Sequence, residues 1–147
     1  MPTVDIPTIV FSEWQPWRAR SRPSQEFDVP ADFGILGLYV LAAADSTLVE
    51  QPAEERYLQA GVLYIGMSTH VEQRLASTHK AVSTYRKELN DQQCWKLWFA
   101  SWHSDWNNWE LRRPHGAVAL ATIALYERFL LLSYARKHGR FPHLNRM

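Results

Sequence analysis

Two groups of side chains in this 147-residue sequence are suited to chemistry. The first is Glu127, which falls among Leu120, Ile123, Leu130, Leu131 and Tyr134 on one face of an apolar helical stretch. An ionised carboxylate in such company is costly unless it has a partner. An arginine would serve, and so would a metal ion; the helix alone does not decide between them. The second group is Trp14, Trp17, Arg18, Arg20 and Arg22, which alternate aromatic and basic character. Such a mixture can hold nucleic acid by stacking on bases and contacting phosphates. It can equally be an N-terminal segment pinned to the domain by two buried tryptophans, with its arginines in water. The remaining candidates for metal chemistry are weak. Cys94 is the single cysteine, which excludes an internal disulfide framework and a cysteine-based zinc site. His138 and His143 lack a metal-ligand spacing.

The length suits one domain with a real core, and 46% hydrophobic against 21% charged residues excludes a disordered tail. Sixteen Lys and Arg against fifteen Asp and Glu leave a net charge of +1, too little to hold nucleic acid by bulk charge alone. No uninterrupted apolar run reaches the roughly 20 residues of a membrane span, and the N-terminus lacks the pattern of a signal peptide. With the lone cysteine, this gives an expectation of cytoplasmic residence and no membrane partner.

The elements that must position these residues begin after a proline-rich N-terminal arm over residues 1–32, read as an irregular wrap. Residues 33–147 read as one domain. Gly34–Leu41 and Val62–Ile65 are apolar runs rich in strand formers, joined by a long connection with a small helical insert at Glu54–Gln59. Cys94–Trp102 is a third strand candidate, and Ser104–Pro114 reads as polar and turn-like. The sequence carries seven tryptophans, and those between Trp95 and Trp109 read as core and edge packing. A first helix starts at Thr69, with Glu72 completing a capping box and Val71, Leu75, Thr78, Val82, Tyr85 and Leu89 on one stripe. A second runs from Gly116 to His138 and stops at Gly139, with Pro142 beyond. The fold class is α+β: a three-stranded antiparallel or mixed sheet flanked by helices in the order β-β-α-β-α.

A resemblance emerges from the spacing. Gly37-Leu38-Tyr39 ends in a strand tyrosine, and Tyr64-Ile65-Gly66 closes the next strand. Arg74 follows eight residues after Gly66, Glu127 lies in a later helix, and Asn145 comes near the C-terminus after a proline. Over residues 33 to 147 this set resembles the GIY-YIG nuclease superfamily, whose strand order matches the one read above. The resemblance implies hydrolysis of a nucleic-acid phosphodiester with one divalent metal, Mg²⁺ or Mn²⁺. It implies that Glu127 binds the metal, that Tyr39 activates or orients the attacking water, and that Tyr64 assists. Arg74 would hold the scissile phosphate, and Asn145 would support the site structurally. A guanidinium suits that task because its fork makes two bonds to phosphate oxygens and keeps its proton. A phenol, with a reference pKa near 10, is an awkward base at neutral pH. Either nearby positive charge activates it, or it only accepts a hydrogen bond from the water.

The sequence departs from the family pattern in places. The gap between the tyrosine motifs is long, which implies an inserted loop. Many members carry a His or Tyr four residues after the motif arginine; here that position is Thr78, and His79 follows it. His79 and His70 are therefore supporting candidates, and Lys80 joins Arg18, Arg20 and Arg22 as a candidate nucleic-acid contact. Nothing in the chain is long enough for a separate DNA-binding domain. The reading that results is a metal-dependent endonuclease acting on DNA, with RNA possible, and working as a homodimer or with a partner protein. The alternative is a non-cleaving module on the same fold that binds nucleic acid or protein.

Overall fold

The computed structural model describes residues 5–16, 35–43, 51–68, 97–107 and 116–145. They form β1 (Gln15–Pro16), β2 (Ile35–Ala43), a 3-10 helix (Ala53–Leu58), β3 (Val62–Ser68), β4 (Leu97–Asn107) and α1 (Gly116–His138). The sheet order is β1-β4-β2-β3, and every pairing is antiparallel. The α+β class is as expected, the sheet is antiparallel rather than mixed, and the two-residue β1 adds a fourth strand at its edge. The helix expected from Thr69 lies outside the described residues.

β2 occupies the middle of the sheet because its sequence can be buried on both faces. Leu36, Leu38, Val40 and Ala42 point to one face, and Tyr39 and Leu41 to the other; all six are buried. A near-continuous apolar run is what a strand covered on both sides requires. The first face packs with Ile65, Ala100 and the buried stripe of α1: Ala119, Ile123, Leu130, Leu131 and Tyr134. β4 extends past its aromatic stretch, running on through His103, Ser104 and Asp105 to Asn107. Ser104 to Asn107 are not a turn, because β2 offers them a ladder as far as Ile35 opposite Asn107; residues 108–114 of the turn-like stretch lie outside the described residues. Pairing of this kind overrides residue preference.

The N-terminal segment is part of the domain as far as residue 16. Ile9 and Phe11 are buried in the core, and Phe11 lies 6.1 Å from the Tyr57 ring. The Phe11 and Ser12 N–H groups donate to the carbonyls of Ala53 and Ser101. Arg56 Nη1 donates to the carbonyls of Phe11 and Ser12 at 2.6 and 2.9 Å. Among the described residues the pins are Ile9 and Phe11, with Trp14 partly buried beside them. Trp17, Arg18, Arg20 and Arg22 lie outside the described residues.

α1 ends where its sequence predicts, at His138. Gly139 takes φ 72° and donates its N–H to the Ala135 carbonyl at 2.7 Å, the left-handed cap that ends a helix. By length and composition alone α1 is apolar enough to cross a membrane, contrary to the impression from uninterrupted runs. Its face away from the sheet exposes Val118, Leu125, Phe129 and Leu132. Leu120, grouped by sequence with Ile123, Leu130, Leu131 and Tyr134, is also exposed.

Candidate active site

The site is built at the free edge of the sheet, where β3 is the outermost strand. Antiparallel partners project their side chains to the same face. Tyr39 stands opposite Gly66, and Leu41 stands opposite Tyr64, so both tyrosines rise from one face. Their ring centroids are 5.9 Å apart with planes at 28°, an offset stack. Tyr39 is 1% exposed, whereas Tyr64 is half-buried at the rim.

Gly66 is the floor beneath them. A Cβ at this position would lie 2.5 Å from Tyr64 Cε1 and 2.9 Å from both Cζ and the hydroxyl of Tyr39. The glycine is required by space: the phenol of Tyr39 reaches across to β3 and lies directly against its backbone. The second glycine of the motif pair thus holds the end of the first tyrosine where it is.

Glu127 reaches the same edge from α1, on the opposite face. Its carboxylate accepts a hydrogen bond from the Met67 N–H, one residue beyond Gly66. Burial raises the Glu127 pKa above the ordinary carboxylate value, and the positive charge of Arg128 and the Met67 hydrogen bond offset part of that rise. The arginine contact is Arg128, an exposed neighbour on the same helix.

Asn145 completes the edge. Its Oδ1 accepts from the Ile65 N–H at 2.9 Å, and its Nδ2 donates to the Ile65 carbonyl at 2.8 Å. The Leu144 N–H donates to the Leu63 carbonyl at 2.8 Å. Leu63, Ile65 and Met67 alternate with the residues that pair to β2, so their backbone groups point outward from the sheet. The Leu63 carbonyl, both Ile65 groups and the Met67 N–H are bonded from distant parts of the chain. Asn145 acts here as a strand substitute that holds β3.

Among the sequence candidates, Tyr39 and Tyr64 pack together on one face of the sheet, Glu127 reaches Met67 of β3 from the other face, and Asn145 bonds Ile65 at the strand edge. Arg74, His70, His79 and Lys80 lie outside the described residues. No three His, Cys, Asp or Glu residues come together among the described residues. A hard divalent cation does not need such a cluster: Mg²⁺ keeps several waters and binds through one or two carboxylates plus substrate phosphates. A single carboxylate with one oxygen tied by a backbone N–H fits that donor requirement, because an outer hydrogen bond orients a ligand.

No protein-family model, curated protein or solved structure matches the chain.

The sequence reading missed the Met67 N–H and the spatial reason for Gly66. Both act through backbone atoms, which residue types do not report.

Proposed function

We propose that this protein is a metal-dependent endonuclease that hydrolyses phosphodiester bonds in DNA. The observation that carries the reading is the placement of the Tyr39 hydroxyl against Gly66, beside Tyr64 and one residue from the point where Glu127 is tied to β3. Two phenols and one carboxylate reach the same stretch of β3 from its two faces, and groups of both kinds can hold a water or a metal ion near a phosphate.

Glu127 would hold the Mg²⁺ or Mn²⁺ ion, which when bound neutralises charge on the phosphate and acidifies water. Tyr39, fixed by its buried ring and the Gly66 floor, orients the attacking water by hydrogen bonding to it. Tyr64, at the accessible rim, contacts the water or an adjacent phosphate oxygen. Arg74, by the family resemblance, stabilises the charge that grows on the phosphate oxygens. Asn145 keeps β3 in register and so keeps Gly66 under Tyr39.

The test is incubation of the purified protein with supercoiled plasmid in Mg²⁺ or EDTA, alongside Glu127→Ala and Tyr39→Phe. Nicking or linearisation should require the metal and fall at least about 100-fold in each variant. Absence of cleavage by the wild type with Mg²⁺ and Mn²⁺ would overturn the reading. DNA binding unaffected by EDTA, without cleavage, would return the chain to the non-cleaving module.

A further inference from the structure

α1 has two apolar faces, and the sheet covers one. Ala119, Ile123, Leu130, Leu131 and Tyr134 are buried on that side. The other face carries Val118, Ala121, Leu125, Phe129 and Leu132, all of them exposed. At about 100° per residue these five lie within about 40° of the direction of Leu125, a single stripe about 21 Å long. A surface helix normally sets polar residues opposite its packed face, whereas one that is apolar all round is covered on both sides. Contiguous exposed apolar surface of this kind marks an interaction site.

The order of side chains along the stripe identifies what fits it. The positions are symmetric about Leu125: Ala121 and Phe129 flank it at equal distance, and Val118 and Leu132 lie one turn further out on either side. A second copy laid antiparallel, with a two-fold axis at Leu125, sets Phe129 against the partner's Ala121, Val118 against the partner's Leu132, and Leu125 against its own copy. Large against small is how facing helices interdigitate. Charge favours the same direction. Arg128, Arg136 and Lys137 lie C-terminal to Leu125, and Gly116 to Ala124 hold no charged residue. Antiparallel pairing lays each basic half beside an uncharged half and opposes the helix dipoles, whereas parallel pairing would set Arg128 against its copy. The hydroxyls at the margin, Thr122 and Ser133, donate to the Val118 and Phe129 carbonyls within α1, so the seam leaves neither without a partner. With the axis at Leu125 the two helices overlap over about 27 Å; half the surface of a cylinder that long and about 11 Å across, taken from both copies, is about 900 Å². That area suits a weak, reversible pair.

We propose that the outer face of α1 is the interface of a weak antiparallel homodimer centred on Leu125. Glu127 lies about 160° round the helix from Leu125 and is tied to Met67 of β3, so the seam and the candidate metal ligand occupy opposite sides of α1. The pair closes on itself, because each copy presents the same patch to the other. The proposal rests on packing and charge, and it stands apart from the nuclease reading.

Sedimentation equilibrium over a range of protein concentrations tests it. The wild type should pass from 17.1 kDa to twice that mass, with a Kd of about 1–100 µM. Leu125→Glu sets two carboxylates face to face on the axis and should weaken association by at least about 100-fold. Phe129→Ala and Ala121→Phe should each weaken it about 10-fold or more, and the double variant, which exchanges large for small, should recover most of the loss. In a Cys94→Ser background, Leu125→Cys should cross-link to its own copy on mild oxidation, and Val118→Cys only when mixed with Leu132→Cys. A wild type that stays at 17.1 kDa throughout, whether or not it binds neutral lipid vesicles, would overturn the proposal. So would a dimer that survives Leu125→Glu, or Val118→Cys that joins its own copy. If Leu125→Glu melts several degrees early at a concentration where the wild type is monomeric, the chain's own residues cover the stripe and the proposal fails. None of these readouts uses nucleic acid or metal, so failure of the nuclease reading would leave them unchanged.

Discussion

Gly66→Ala is the sharpest test of the site geometry. One added methyl would sit 2.5 Å from Tyr64 Cε1 and 2.9 Å from the Tyr39 hydroxyl and Cζ, all inside van der Waals contact. Neither ring has an easy way out. Tyr39 is 1% exposed and is hemmed in by the sheet, and Tyr64 is stacked against it. Forcing a methyl into a packed site typically costs about 1–3 kcal/mol. For a chain of this size that corresponds to a fall in Tm of about 3–10 °C. The larger effect should be on cleavage, because moving a reacting group by about 1 Å costs on the order of 100-fold. Gly139→Ala is the matched control. Its φ of 72° makes any side chain strained, by about 1–2 kcal/mol, yet nothing lies within 4 Å of the new Cβ. Plasmid cleavage at 25 °C and thermal melting of both variants separate the effects. Gly139→Ala should lose stability and keep its rate, whereas Gly66→Ala should lose both. A Gly66→Ala protein that cuts at the wild-type rate would show that the position of Tyr39 over β3 has no part in the chemistry.

Glu127→Gln should abolish metal-dependent cleavage while leaving the fold slightly more stable at pH 7. The folded-state pKa is raised, so the carboxylate's contribution is most favourable when it is protonated and declines as pH rises from the unfolded value through the folded one. The stability gain measured by urea unfolding should therefore vanish below about pH 4, and a variant less stable than wild type at neutral pH would contradict it. Wild-type cleavage should also fade at a higher pH on acidification than an ordinary glutamate would dictate. Asn145→Ala removes two hydrogen bonds to Ile65, worth about 1–3 kcal/mol together, and should lower the Tm by about 3–9 °C. Its residual cleavage at 25 °C should exceed that of Glu127→Gln. Ile123→Ala, at 0% exposed, should cost about 2–5 kcal/mol, whereas Phe129→Ser, at 40% exposed, should stay within about 1 kcal/mol of wild type in the same assay.

The limits of α1 were legible in the sequence because helix-ending chemistry is local: Gly139 supplies the positive φ, and Pro142 bars continuation. The cores of β2 and β3 were legible for a similar reason, as short apolar runs bounded by turn residues. β4 was not. Its last residues, Ser104 to Asn107, are polar apart from Trp106, and β2 beside them makes them strand. The packed face of α1 was half legible. Apolar residues surround the helix, so its composition could not separate buried Leu130 from exposed Leu120; the sheet alone makes that choice. The tyrosine pair and Glu127 were readable as residue types in order. What ties Glu127 to β3, and what makes Gly66 necessary, are contacts between segments about 60 and 30 residues apart.

The sealed outer edge of β3 has a consequence for how the protein can be watched in solution. Amides that point out of a sheet edge normally exchange with solvent deuterons quickly. Here the Ile65 amide is held by Asn145, and the Met67 amide by Glu127. Their exchange rates are separate clocks for two events: undocking of the C-terminal segment and departure of the glutamate. The same two clasps deny the strand to any foreign β-segment, so the edge is guarded against strand addition by residues that also shape the site.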